Sequence, residues 1–268
     1  MGIKALVIDL DGTVYHGKTL IEHADEALKH LSKRYELYYL TNNSTRSRAE
    51  FAQKLERFGI SCTKQQLITS GFAAAEYLHE HYPRSRVYVI GEDGLKQELI
   101  EHEITLCEDD CDCVLVGLDT GFTYAKLKKA LTLLLNGAVF IATNTDPFLI
   151  TNERIVPGAG SIVAAVATGS GKKPLVIGKP SAFITDLIVK QSQVQPQETL
   201  VVGDNLQTDI LMGVTGGMQT AFVLTGASKR DDIERLHIRP DYVFESIVDL
   251  STGLAHTPEQ QRTALDTC

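Results

Sequence analysis

Two acidic residues near the N-terminus, Asp9 and Asp11, stand where a short apolar run ends, and Gly12 follows them. The run covers residues 5–8, is apolar on both faces and is too short for a helix, which predicts a buried parallel strand. In open α/β sheets, ligands bind outside the carboxyl ends of the strands. A pair of carboxylates at that place suits either a hard metal ion or acid/base chemistry, and these residues alone leave both readings open.

Three further places combine reactive side chains with the end of a strand-like run. They are Thr41-Asn42-Asn43 after residues 36–41, Lys179 after residues 175–177, and Asp204-Asn205 after residues 199–202, with Asp209 one helical turn beyond. The carboxyl ends of neighbouring parallel strands lie at one edge of a sheet. If the strands are such neighbours, we expect these side chains to converge.

The chemistry that this set of side chains could perform together is phosphoryl transfer. Asp9 would be the nucleophile, as in enzymes that form an aspartyl-phosphate. Asp204 and Asp9 would hold Mg²⁺, which proteins bind through one or two carboxylates together with water and substrate phosphate. Thr41 and Lys179 would neutralise charge on the transferring oxygens. Asp11 would protonate the leaving oxygen and then activate the hydrolytic water.

Each of these features also has an ordinary structural reading. An isolated Asp-x-Asp is most often a solvated turn, and a single lysine such as Lys179 is usually a solvated surface residue. Thr41 and Asp204-Asn205 are residue types that commonly cap helices. All four features in this order, each after a strand-like run, favour a reactive site over four unrelated structural roles.

The composition excludes several classes of function. The chain has 268 residues, of which 43% are hydrophobic and 22% charged, and its net charge is −8. No basic face is therefore expected for nucleic acid or anionic lipid. No apolar run approaches the roughly 20 residues that span a bilayer, and no signal-peptide core is recognised. We expect a cytoplasmic protein that binds neither nucleic acid nor membrane.

Five cysteines, an odd number, fit a reducing compartment. Three of them, Cys107, Cys111 and Cys113, lie in an acidic stretch whose spacing is not that of a zinc site. We therefore expect them to be reduced thiols.

Strand-like and helix-like segments alternate almost to the end of the chain, which predicts an α/β protein with a mostly parallel sheet. A second α/β set begins near Val87, and the first pattern resumes near Thr199. The last residues, 256–268, are polar and without periodicity, so we expect a loosely held tail.

The four motifs resemble those of the haloacid-dehalogenase-like (HAD) phosphohydrolase superfamily. The match runs through Asp9-Leu-Asp-Gly-Thr-Val, Leu40-Thr-Asn-Asn, Lys179-Pro and Gly203-Asp-Asn-x-x-x-Asp. The insertion of about one hundred residues between the second and third motifs is similar to the type-C2 cap of the NagD-like branch. The resemblance implies a Rossmann-like parallel-sheet core, residues 1–79 and 177–268, with an inserted α/β cap domain, residues 80–176.

The resemblance also implies the roles of the acidic residues. Asp9 would be the nucleophile and Asp11 the general acid/base. Mg²⁺ would be bound by Asp9, the backbone carbonyl of Asp11 and Asp204, with Asp209 supporting the site from behind. Superfamily members that are dehalogenases lack an acid at the position of Asp11, and the transport ATPases carry threonine there, so Asp11 points to hydrolysis.

The remaining implied site residues are polar side chains toward phosphate and substrate. Those implied for phosphate or substrate binding are Thr41, Asn42, Asn43, Lys179 and Asn205, of which Asn205 would also help to order the metal site. Those implied to face the substrate from the cap are Asn144, Thr145 and Asp146. Arg154, in a stretch that matches no known substrate, would either bind a substrate carboxylate or form an ordinary surface ion pair.

Together these observations predict a Mg²⁺-dependent phosphatase acting on a small phosphorylated metabolite through an aspartyl-phosphate. Relatives suggest sugar or acid-sugar phosphates, or nucleoside monophosphates such as UMP. A receiver-like phosphoacceptor module also uses clustered acids, a threonine and a lysine, but it needs no inserted domain. A non-catalytic binding protein is disfavoured because every expected reactive position is filled. The oligomeric state stays open, with a cap-mediated homodimer among the options.

Overall fold

The computed structural model describes residues 2–151 and 154–254, and at 150, 151 and 154 it describes the backbone alone. The predicted loose tail, 256–268, and the side chain of Arg154 lie outside this description. Within it, no helix has the length and apolar character that crossing a bilayer requires.

Strands and helices alternate through the described residues, as the pattern predicts. The strands are β1 (Ala5–Asp9), β2 (Tyr15–His16), β3 (Thr19–Leu20), β4 (Glu36–Thr41), β5 (Leu67–Thr69), β6 (Arg86–Ile90), β7 (Thr105–Leu106), β8 (Cys113–Val116), β9 (Val139–Ala142), β10 (Phe148–Thr151), β11 (Arg154–Pro157), β12 (Leu175–Val176), β13 (Thr199–Gly203), β14 (Gln219–Val223) and β15 (Tyr242–Phe244). The helices are α1 (Ala24–Leu31), α2 (Arg48–Arg57), α3 (Ser70–His81), α4 (Asp93–Glu101), α5 (Tyr124–Leu135), α6 (Ala159–Ser170), α7 (Ala182–Ser192), α8 (Leu211–Thr215), α9 (Asp232–Leu236) and α10 (Ile247–Gly253). Short 3₁₀ turns lie at Lys64–Gln66 and Pro196–Glu198, and a π-helical turn lies at Leu206–Ile210.

Contacts divide the chain into two compact units. Unit 1 takes the described parts of Met1–Leu40, Leu55–Gln66 and Thr185–Cys268, and unit 2 takes Thr41–Lys54 and Leu67–Ile184. Each unit contains its own parallel sheet, so the predicted α/β class is confirmed. The predicted limits of the inserted cap, residues 80–176, stay a prediction.

In unit 1 the parallel strands lie in the order β15-β14-β13-β1-β4. Every residue of β1 and of β13 is buried, which explains their unbroken apolar sequences, because a central parallel strand is covered on both faces. In the register of these two strands Ile8 lies opposite Val202. Asp9 and Asp204 therefore leave the sheet side by side at its carboxyl edge.

In unit 2 the parallel strands lie in the order β12-β9-β8-β6-β7, beside an antiparallel hairpin of β10 and β11. Apolar side chains of β6, β8 and β9 pack against α5 and α6 in a continuous core. Val176 of β12 lies opposite Ala142 of β9. The segments that follow these strands, 143–146 and 177–179, therefore emerge together as well.

The cysteines differ from the expectation in one place. Cys107 and Cys111, whose Cα atoms are 6.2 Å apart, are joined by a disulfide, so the expectation of reduced thiols is wrong for this pair. Cys62 and Cys113 are thiols. Burial raises the pKa of Cys62 to about 12 and that of Cys113 to about 11. The disulfide could not be predicted from the sequence, because two cysteines four residues apart do not indicate a turn that brings their sulfur atoms together.

The N-cap residue of α4 allows a test of the fold of unit 2. Glu92 accepts hydrogen bonds from the backbone N–H and the hydroxyl of Thr120, at 2.8 and 2.6 Å. These bonds favour the carboxylate and lower the pKa of Glu92. Its contribution to the free energy of unfolding is therefore present above the unfolded pKa of about 4.3. It is lost as the pH falls through the lower pKa of the folded state.

We expect Glu92→Gln to lower the free energy of unfolding near pH 7, and the difference from wild type to shrink as the pH falls below about 4. Urea unfolding at a series of pH values from about 3 to about 7 measures this difference in the free energy of unfolding. That range brackets the ordinary glutamate pKa of about 4.3. Glu108→Gln, which changes an exposed glutamate, is the matched control. A difference that does not vary with pH would contradict the role of the Thr120 hydrogen bonds.

Candidate active site

Three buried carboxylates form the centre of the candidate site in unit 1. Asp9, Asp204 and Asp209 each place one oxygen within 4.8 Å of the oxygens of the other two, and all three side chains are at most 7% exposed. Asp9 ends β1, Asp204 follows β13, and Asp209 lies on the π-helical turn at Leu206–Ile210. Burying like charges this closely is costly unless a cation or proton joins them.

A loop that the sequence analysis did not identify encloses Asp204. The Asp204 carboxylate accepts the backbone N–H of Ala227 at 2.5 Å, and its backbone carbonyl accepts that of Ser228 at 3.0 Å. A Cβ atom on Gly226 would collide with the Asp204 carboxylate, and so would a Cβ on Gly12. A side chain at either position would displace the Asp204 carboxylate. Thr225 and Gly226 come shortly after β14, which ends at Val223. A position after a strand end was the signal in the sequence that could have identified this loop.

The donor set fits Mg²⁺. The ion prefers hard oxygen ligands, usually one or two carboxylates with water and substrate phosphate, and the three clustered side chains are carboxylates. The Asp204 carboxylate packs against Gly12 and Gly226 where a larger residue would have its Cβ atom, so the two glycines allow it to take this position. Asp209, predicted to support the site from behind, lies in the cluster itself and also accepts the backbone N–H of Asn205 at 3.1 Å.

Asp11 and Asn205 flank this cluster along the chain. The side chain of Asp11 is exposed, and its backbone forms an isolated bridge with Tyr15. The side chain of Asn205 accepts the backbone N–H of Gln207 at 3.0 Å and so begins the π-helical turn. Asp11 is thus the solvent-accessible carboxylate, two residues from buried Asp9.

In unit 2 the second motif forms a tightly hydrogen-bonded loop. The backbone N–H of Asn43 donates to the Thr41 hydroxyl at 3.2 Å. The Asn43 side-chain oxygen accepts the backbone N–H and the hydroxyl of Thr45, at 2.9 and 2.7 Å. Turns of this kind, closed by short polar side chains, fix the backbone locally. Thr41 and Asn42 are buried, and Asn43 is half-buried.

The same unit brings four more predicted site residues together. The backbone N–H of Lys179 donates to the Asn42 side-chain oxygen at 2.8 Å, and the Asn42 amide nitrogen lies 3.1 Å from an oxygen of Asp146. The amide of Asn144 donates to the Asn42 carbonyl at 2.7 Å. Lys179 is only 4% exposed and precedes a cis peptide bond to Pro180. The side chain of Thr145, by contrast, is exposed.

Two family models match the chain. A model described as haloacid dehalogenase-like hydrolase matches residues 6–105, and one described as HAD-hydrolase-like matches residues 176–250.

Known proteins resemble this chain over nearly its full length. The 5'-nucleotidase YutF of Bacillus subtilis is 36% identical over 247 residues, which is 92% of this chain and 96% of the relative. The acid sugar phosphatase of Staphylococcus epidermidis is 36% identical over 254 residues, 94% of this chain and 97% of the relative. The structure of NagD from Escherichia coli K-12 has a TM-score of 0.86 at 33% identity, over 93% of this chain and 98% of that one. With the motifs, these matches mean that the chain belongs to the haloacid dehalogenase-like hydrolase family, in its NagD-like branch.

Proposed function

We propose that this phosphomonoester hydrolase depends on Mg²⁺ and acts on a small phosphorylated metabolite through an aspartyl-phosphate. The observation that carries the proposal is the cluster of Asp9, Asp204 and Asp209 at one sheet edge, with exposed Asp11 beside it. Buried carboxylates this close suit a hard dication. A nucleophile and an acid/base residue in different surroundings suit a two-step displacement.

In the first step an oxygen of Asp9 attacks phosphorus, a P–O bond to Asp9 forms, and the bond to the leaving oxygen breaks. Asp11 gives its proton to that oxygen. In the second step Asp11 takes a proton from water as the water oxygen attacks phosphorus, and the Asp9 carboxylate is released. Asp11, deprotonated in the first step, thereby regains its proton in the second and returns to its starting state.

The metal would be held by Asp9, Asp204 and the backbone carbonyl of Asp11, with Asp209 within reach of the same place. When bound, Mg²⁺ supplies the positive charge that offsets repulsion between a carboxylate and a phosphate dianion. General acid/base catalysis contributes only about 10²–10⁴ of the rate. Thr41, Asn43 and buried Lys179 would contribute further stabilisation of the phosphoryl oxygens.

The names of two relatives guide the choice of substrates. One is a 5'-nucleotidase and the other an acid sugar phosphatase, so sugar phosphates, acid-sugar phosphates and nucleoside monophosphates are the classes to test. We assign residues 80–176 to an inserted cap, with Asn144, Thr145 and Asp146 as its substrate-facing residues. Phosphate release from these three classes, with and without Mg²⁺, tests the function. No release from any of them with Mg²⁺ present would overturn it.

The two acids should fail in different ways when they are changed. We expect Asp9→Asn to abolish phosphate release from p-nitrophenyl phosphate, because the amide cannot form the acyl phosphate. Asp11→Asn should still form a phosphoenzyme but should slow its hydrolysis by about 10²–10⁴. Acid quenching followed by mass spectrometry of the Asp9 peptide detects the intermediate.

Asp231→Asn, the same change at an exposed aspartate, is the control for this pair. Near-normal turnover by folded Asp9→Asn protein would refute the nucleophile. A stable phosphoenzyme in the wild type, without steady phosphate release, would instead support the receiver-like module.

The glycine beside Asp204 allows a test of the metal site. In Gly226→Ala the new Cβ would collide with the Asp204 carboxylate, so we expect Mg²⁺ affinity to fall about 10–100-fold, as it does when a residue that orients a metal ligand is changed. Calorimetric titration with Mg²⁺ alone measures this affinity. Gly2→Ala, whose Cβ has no neighbour within 4 Å, should leave it unchanged. Equal affinities in both variants would exclude Asp204 as a ligand.

A further inference from the structure

Both N–H donors of the Asn42 side-chain amide are already used in hydrogen bonds within unit 2. Its nitrogen donates to the Lys179 carbonyl at 3.2 Å, and also to Asp146 at 3.1 Å from one carboxylate oxygen and 3.4 Å from the other. Its oxygen accepts the backbone N–H of Lys179 at 2.8 Å. An asparagine amide has two N–H donors. Donation to a phosphate oxygen would therefore require breaking one of these contacts.

The two bonds to Lys179 form a pair. An N–H and a carbonyl of the same residue face the oxygen and the nitrogen of one amide, as a peptide group of a neighbouring strand would face them. Lys179 lies just beyond β12, where the sheet no longer supplies such a neighbour. The side chain of Asn42 thus continues the hydrogen bonding of the strand and fixes the backbone from which the lysine side chain leaves.

Close packing around Gly178 supports this arrangement. A Cβ atom on Gly178 would lie 2.6 Å from the Asn42 side-chain oxygen and would also strike the backbone carbonyl of Thr143. The backbone N–H of Gly178 donates to that carbonyl at 2.8 Å. The Asn42 amide is thereby held against the strand end with no space for a side chain between them.

The Asp146 carboxylate fixes which way the amide points. With the amide nitrogen toward Asp146 and the Lys179 carbonyl, every contact pairs a donor with an acceptor. The reversed amide would set its oxygen against the carboxylate and its N–H groups against the N–H of Lys179. The Asn42 backbone is anchored as well, since its carbonyl accepts the Ser70 hydroxyl at 2.5 Å and the Asn144 amide at 2.7 Å.

We infer that Asn42 is a positioning residue, which acts on the reaction by holding Lys179, and that its side chain is not a phosphate ligand. This inference rests on the proposed function in one respect, the contact of Lys179 with the phosphoryl group. It replaces the role expected for the Asn42 side chain from the sequence. It further implies that a carboxylate would not serve at this position, because it would lose both donors and would repel Asp146.

A double-mutant cycle between Asn42 and Lys179 tests the inference. We expect Asn42→Ala to lower kcat for p-nitrophenyl phosphate about 10–100-fold while KM changes less than about 3-fold, because the lysine would stabilise charge in the transition state. In the Lys179→Ala background the same change should cost less than about 3-fold, since residues that act as a unit are not additive. Effects that multiply would mean a direct phosphate contact or general damage, and would overturn the inference.

Two further variants serve as controls for a general effect on folding. Ser170→Ala removes a buried hydroxyl that donates to the Val166 carbonyl at 2.7 Å, elsewhere in unit 2, and should leave kcat unchanged. Asn42→Asp keeps the size of the side chain and an acceptor for the Lys179 N–H. We expect it to lose kcat as Asn42→Ala does, because the donors are gone. Wild-type kcat in folded Asn42→Asp protein would overturn the inference.

A measurement without substrate separates this inference from the proposed function. Acetylation of Lys179 by an N-hydroxysuccinimide ester, followed by mass spectrometry, should be slow in the wild type, where the lysine is 4% exposed. It should be at least about 5-fold faster in Asn42→Ala, as expected when buried hydrogen bonds no longer limit local opening. An unchanged rate would overturn the positioning role. If the wild type released no phosphate from any ester, the proposed function would fail while this measurement still decided the role of Asn42.

Discussion

Electrostatic repulsion among Asp9, Asp204 and Asp209 is the constraint around which the candidate site is built. At a separation near 5 Å and an effective dielectric constant of 20, two such charges repel by about 3 kcal/mol. Hydrogen bonds from the backbone N–H groups of Ala227 and Asn205 offset part of this repulsion, and a divalent cation would offset more. Gly12 and Gly226 pack directly against the Asp204 carboxylate, so a Cβ atom at either position would displace a member of this cluster.

The two units share one structural feature, neighbouring parallel strands that end in register, but different residue types follow those strands. In each, neighbouring parallel strands end in register, Ile8 opposite Val202 in unit 1 and Ala142 opposite Val176 in unit 2. Residues far apart in sequence therefore leave each sheet at the same edge. Unit 1 uses its edge to gather carboxylates, and unit 2 uses its edge to gather amides and a buried lysine.

Much of this arrangement could be predicted because it depends on local patterns. Unbroken apolar runs identified β1 and β13, and the acids after them were predicted to meet. The loop at Thr225–Ser228 was missed although it follows a strand, because a position after β14 does not reveal a contact with Asp204 more than twenty residues away. The π-helical turn that carries Asp209 toward Asp9 and Asp204 could not be predicted either, because such turns have no simple sequence pattern. The phosphate-binding role of Asn42 was implied by the family resemblance, and a motif does not say which partners already use the donors of its side chain.

The structure places Asp9 and Asp11, two identical side chains, in different surroundings. Asp9 still belongs to a strand and is 7% exposed, so its carboxylate faces its charged neighbours without a full shell of water. Asp11 follows the end of the strand, beside the turn at Gly12, and its side chain meets solvent. A nucleophile benefits from weak hydration and fixed geometry, whereas an acid/base residue must exchange protons with water. The end of one strand, placed between two aspartates, thus gives them the two kinds of surroundings that the proposed roles require.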